Sequence, residues 1–135
     1  MKINQELKKY MENTIFPSYK KNDLGHNLDH IRYVIERSLK FANNQDDINY
    51  NMVYVIAAYH DIGHYIDAKN HEKVSADMLL QDKNLRKFFT EDEIKTAMEL
   101  VVSKNIFASG GADIAKAVSA KVVVTDTTPY DLVIG

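Results

Sequence analysis

His60-Asp61 closes the apolar run Asn51-Met-Val-Tyr-Val-Ile-Ala-Ala-Tyr59. The pair puts an imidazole and a carboxylate where a buried segment reaches polar surroundings. Nitrogen and oxygen donors of this kind suit Zn, Fe, Mn and related divalent metals. His26, His30, His64 and His71 are the other histidines, so all five fall within the first 71 residues. His26 and His30 are four apart; on a helix that begins before His26 they share a face, and on one that begins at Asn27 or Leu28 only His30 is fixed. Neighbouring helical residues diverge by about 100°, so His60 and Asp61 serve one metal only at the margin of the core. Asp126, far along the chain, is placed to close the site from a separate segment. The minimum set is then His30, His60, Asp61 and Asp126. Two imidazoles and two carboxylates leave positions for water and a phosphate oxygen, the arrangement a hydrolytic metal needs. His64 and His71 are the candidates for a second metal.

Plainer readings stand beside these. His60 can be a helix-end histidine whose ring a carboxylate holds, and His30 a core-edge histidine bonded to a carbonyl. His26 is a helix-start residue or an outer wall of a pocket, with Asp23 as its partner. His64 can be a loop histidine and His71 an N-terminal helix residue, where the helix dipole disfavours a cationic ring. Asp126 is a common residue type at helix ends and turns, and Asp67 and Asp131 read as surface.

Helices must carry these residues. The chain has 135 residues, two prolines and five glycines, which leaves long stretches free of breakers and room for one core. The spacing predicts a short amphipathic helix over 3–12, a loop over 17–23, and helices over 27–43 and 49–62, the last nearly apolar all round and therefore central. A loop over 63–70 and a helix over 71–82 come next. Thr90-Glu-Asp-Glu93 matches a capping box and opens a helix over 91–104. Gly110-Gly111 breaks the chain, and a last helix is expected over 112–125. The fold class is all-α, a single domain of five to six helices in a compact bundle, with the 3–12 helix as an appendage.

Composition removes several classes. With no cysteine, disulfides, thiolate metal sites and cysteine nucleophiles are excluded. A net charge of -2 argues against a binder of duplex nucleic acid. No apolar run reaches bilayer length and the N-terminus has no signal core, so a cytoplasmic protein without membrane contact is expected.

His30-Ile-Arg-Tyr-Val34, Ala57-Ala-Tyr-His-Asp-Ile-Gly63, His71-Glu-Lys-Val-Ser-Ala76 and the distant Asp126 together resemble the HD-domain family of metal-dependent phosphohydrolases, in its bacterial HDIG-like subgroup. The resemblance runs from about residue 24 to 135. It implies an HD-like helical domain and hydrolysis of a phosphomonoester or phosphodiester in a nucleotide or small phosphorylated metabolite. The cofactor would be a divalent ion: Mn, Ni, Co, Zn, Fe or Mg. Asp61 would ligate the metal and orient or deprotonate the water, with Glu72 or His64 as alternative bases. Lys69 and Lys73 would meet the phosphate, with Lys121 a weaker option; Arg32, about 200° around the helix from His30, would pair with a carboxylate or reach the phosphate from another wall; His26 would line the pocket and Tyr65 stack on a base. A homo-oligomer is compatible with this reading.

Two departures bear on it. Ala97-Met-Glu-Leu-Val-Val-Ser-Lys104 has no histidine where the subgroup often carries one, and Asp126-Thr-Thr-Pro-Tyr-Asp131 stands where relatives read Asp-Ala-Asp-Arg-Leu-Asp. The first weakens a two-metal reading; the second weakens the last ligand, Asp126, and the substrate pocket, and leaves one metal in place. Family domains continue beyond the point where this sequence stops, so trimmed C-terminal helices, a partner or a tail are expected there. The alternative function is a catalytically degenerate protein that binds metal and nucleotide without turnover. Di-iron oxygenase chemistry and a helical interaction module are the more distant alternatives.

Overall fold

The computed structural model describes residues 3–43 and 48–102. These residues form five α-helices: α1 (Gln5–Tyr10), α2 (Leu28–Ala42), α3 (Tyr50–Tyr59), α4 (His71–Gln81) and α5 (Glu91–Val102). Among the described residues there is no strand. The expected helix over 112–125 lies outside the described residues.

Helix α3 is the axis. All its residues from Asn51 to Tyr59 are buried, and α2, α4 and α5 each pack against it. Asn49 caps it by accepting from the Met52 amide at 3.1 Å, and the same side chain donates to Glu93 of α5 at 3.1 Å. The helix stops at Tyr59 rather than at residue 62. Beyond it the chain tightens into three-residue turns, with Ile62 N–H donating to Tyr59 at 3.1 Å and His64 N–H to Asp61 at 3.1 Å. Such tightening satisfies the last carbonyls of a helix. Gly63 fixes where it happens. A Cβ there would lie 2.5 Å from Val74 Cγ1 and 3.0 Å from the Ser75 amide nitrogen of α4. The Gly63 N–H donates to Ser75 Oγ at 2.9 Å.

The N-terminal segment departs from expectation. Helix α1 ends at Tyr10, runs into a wide π-helical turn over Met11–Ile15, and then into a 3₁₀ helix over Phe16–Lys21, in place of the loop expected from residue 17. Pro17 has the fixed φ that suits a first helical turn. Phe16 and Tyr19, three apart, fall on one side of a three-residue helix and are both buried. Burial of that pair overrides the polar look of the stretch.

Helix α2 begins at Leu28, with Asn27 accepting from the His30 amide at 3.2 Å. His26 therefore lies outside it, in a short 3₁₀ turn over Leu24–His26. The capping box at Thr90 forms in both directions: Glu93 accepts from the Thr90 amide at 2.8 Å and Thr90 Oγ1 from the Glu93 amide at 3.1 Å. No helix of the described residues is long and apolar enough to cross a membrane.

Candidate metal centre

The tightened turns after α3 deliver His60, Asp61 and His64 to one end of the bundle. The start of α2 brings His30, the preceding turn brings His26, and the first residue of α4 brings His71. All five imidazoles gather there. The rings of His26 and His64 stack at 3.7 Å and 14°, those of His30 and His60 are 5.8 Å apart, and those of His64 and His71 5.1 Å.

Asp61, itself buried, is the common target. Its Oδ2 lies 3.3 Å from His60 Nε2 and 3.5 Å from His30 Nε2, and its Oδ1 lies 3.2 Å from His71 Nε2. Backbone carbonyls set the tautomers. His60 Nδ1 is 2.6 Å from Ala57 O and His71 Nδ1 is 2.9 Å from Ala68 O. A carbonyl only accepts, so both Nδ1 atoms carry the proton and a neutral ring presents a bare Nε2 to the carboxylate. Lone pairs then face lone pairs. A second proton on each ring, or a cation between them, resolves the conflict.

Burial holds the His30 ring below the ordinary histidine range, against the pull of Asp61 and with the help of His60 and His26. For Asp61 burial acts upward, but the hydrogen bond and charge that His60 brings with a second proton on its ring, and the charges of His26 and His71 in the same form, outweigh it and hold the carboxyl below its usual range. An ionised carboxylate and a neutral imidazole are the forms a metal takes. One ligand atom from each of His30, His60 and Asp61 falls within 4.8 Å of the others. The donor set fits a divalent ion of the nitrogen- and oxygen-seeking kind.

The remaining sequence-predicted residues divide. His64 joins His26 and Asp23 in a second group whose ligand atoms also lie within 4.8 Å; Asp23 Oδ1 is 2.7 Å from His26 Nδ1. Glu72 stands behind His71, 3.7 Å from its Nδ1, and away from Asp61. Lys69 and Lys73 are exposed beside the loop. Tyr65 is 38% exposed and lies under the Lys21 ammonium, 5.1 Å from the ring centre. Arg32 takes no part in this cluster: its guanidinium covers Phe16 at 5.2 Å and lines a separate cavity. Asp126, Lys121 and Asp131 lie outside the described residues.

Sequence reasoning missed two supporting side chains. Tyr19, fully buried, donates to Ala58 O at 2.6 Å and accepts from the Asp61 amide at 3.3 Å. Asn22 donates to the carbonyls of His26 and Asp61, each at 2.8 Å, and accepts from the Tyr65 amide at 2.9 Å. Together they pin the turn that carries Asp61 to the segment that leads into α2. Nothing in the local pattern marks either residue, because their distant partners lie some forty positions away.

A family model described as "Protein of unknown function (DUF2922)" matches residues 80–131. That is less than half of the chain, and it begins after Asp61 and all five histidines. It covers α5 and, beyond the described residues, Asp126 and Asp131. No curated protein and no solved structure matches the chain.

Proposed function

We propose that this protein is a divalent-metal-dependent phosphohydrolase of the HD-domain kind, acting on a nucleotide or another small phosphoester. The observation that carries the reading is the convergence of three imidazole Nε2 atoms on the single buried carboxylate of Asp61. His30, His60 and Asp61 would hold the ion, and Asp126 is the proposed fourth ligand. The ion would lower the pKa of bound water and offset charge on the phosphoryl group.

The chain's own residues do the positioning. The Ala57 carbonyl keeps the proton of His60 on Nδ1, so that Nε2 stays directed at the centre. Tyr19 and Asn22 fix the backbone of Asp61. The carboxylate is engaged on both oxygens, and Glu72 is turned behind His71, so neither is a free base. His64, stacked on His26 beside the centre, is the side chain best placed to take a proton. Tyr65, Lys69 and Lys73 would border an incoming substrate, at the exposed loop.

The test is hydrolysis of a panel of nucleotides and generic phosphoesters with Mn, Co, Ni or Mg added. Turnover is expected with at least one ion, and it should vanish in His60→Ala and Asp61→Asn. Metal binding without turnover across the panel would favour the degenerate binder.

A further inference from the structure

A second, chemically distinct place lies on the other side of α2. A cavity of about 510 Å³ opens between the N-terminal helical segment, α2 and α3. None of its lining residues belongs to the histidine cluster. Ligand pockets typically enclose about 300–1,000 Å³, with an apolar lining and a few convergent polar groups. Here the apolar surface comes from the buried Phe16 and Ile35. Four charged side chains also line it: Lys8 and Arg32, Glu12 and Glu36. Among the described residues none of the four makes an ion pair.

Tyr54 gives the cavity a demand. Its side chain lines the space and is only 4% exposed, yet the hydroxyl has no hydrogen-bond partner among the described residues. A buried hydroxyl without a partner carries an uncompensated desolvation cost, so a ligand that supplies one is favoured at this spot. Glu12 and Arg32 both act on that hydroxyl: burial and Glu12 raise its pKa and Arg32 lowers it. An anionic oxygen beside Arg32 would accept from Tyr54. A simple anion would meet Glu12 and Glu36 as well, whereas a molecule with an ammonium group uses them.

We propose that this cavity is a binding site for a small zwitterion with an apolar body, of the class of an apolar α-amino acid. The carboxylate meets Arg32, Lys8 and the Tyr54 hydroxyl, the ammonium meets Glu12 and Glu36, and the side chain rests on Phe16 and Ile35. The site stands independently of the metal centre.

The test is calorimetric titration of the whole chain with L-phenylalanine and L-leucine, alongside N-acetyl-L-phenylalanine, which lacks the ammonium, and L-phenylalanine amide, which lacks the carboxylate. Saturable binding of the intact amino acids is expected, with each blocked derivative weaker by at least about tenfold. Arg32→Gln should bring the amino acid down to the level of the amide, and Glu12→Gln to that of the N-acetyl compound. Tyr54→Phe should weaken binding while leaving the melting temperature unchanged or higher, since it removes an unpartnered hydroxyl. His60→Ala should bind as the wild type does. Arg32 and Glu12 are exposed, so their variants should keep the native circular dichroism. Absence of saturable binding, equal affinity for the blocked derivatives, or no effect of Arg32→Gln would overturn the proposal.

Discussion

Tyr59 and His60 are neighbours in the chain, and each leads to a carboxylate with a different problem. Tyr59 reaches Asp82, whose Oδ2 accepts from both Tyr59 and Tyr10, the latter at 2.6 Å, while Oδ1 accepts from the Asn84 amide at 3.0 Å. Every contact there brings a proton to an acceptor. His60 reaches Asp61, where the neighbours are imidazole nitrogens that bring a proton only when the ring carries a second one. The Asp82 cluster is complete by itself and holds α1, α3 and the end of α4 together. The Asp61 cluster is complete only with added positive charge. Burial of a carboxylate alone does not mark a site; what matters is whether its neighbours bring protons.

Breaking the closed cluster should have the largest effect on stability. Asp82→Ala leaves the Tyr59 hydroxyl without its acceptor in a buried place and removes the cap at Asn84. Urea denaturation should show a loss of about 3 kcal/mol, the same with chelator as with metal. The open cluster should behave in the opposite way. A divalent ion at about a hundred times its dissociation constant should stabilise the wild type by about 2.7 kcal/mol, seen as a rise in melting temperature. Asp61→Asn and His60→Ala should lose that rise. A metal-induced rise that survives in both variants would move the ion away from Asp61.

Gly63→Ala tests the turn that follows Asp61 and packs on α4. The new methyl would meet Val74 and the Ser75 backbone, so a loss of about 1–3 kcal/mol is expected, together with weaker metal binding. A stable variant with normal metal affinity would show that the turn does not set the position of Asp61.

The smallest effect is the alkaline one. Burial and then Asp82 push the Tyr10 hydroxyl up to about 12. A raised folded value means that the neutral form is the stabilised one. Its contribution is fully present below the ordinary tyrosine value of about 10 and is lost as pH rises through about 12. Denaturation midpoints measured across that window should fall, and Asp82→Asn should make the fall shallower.

The elements legible in the sequence are those that local pattern decides. The 3.6-residue spacing from Leu28 to Ala42 marks α2, and Thr90 with Glu93 marks the start of α5, because both signals lie within one turn of what they control. The stretch from Met11 to Lys21 defeats a local reading because its shape depends on burial of Phe16 and Tyr19, which no periodicity shows. The end of α3 comes three residues early for a related reason: Gly63 must approach Val74 and Ser75 of α4, far outside any local window. In the site, residue type and spacing mark His30, His60, Asp61 and His71. The meeting of His26 with His64 depends on how the turn before α2 packs against the turn after α3. Arg32 shows the limit most plainly. It is two residues from His30, roughly 200° around the helix, and that rotation carries it to the zwitterion cavity.

A cation that resolves the conflict at Asp61 is the centre of the proposed chemistry. Anomalous diffraction from crystals grown with Mn or Zn tests it most directly. The expected result is a peak about 2.0–2.2 Å from His30 Nε2, His60 Nε2 and an oxygen of Asp61. A crystal grown with excess metal that shows no peak there, with the three side chains in the same positions, would contradict it.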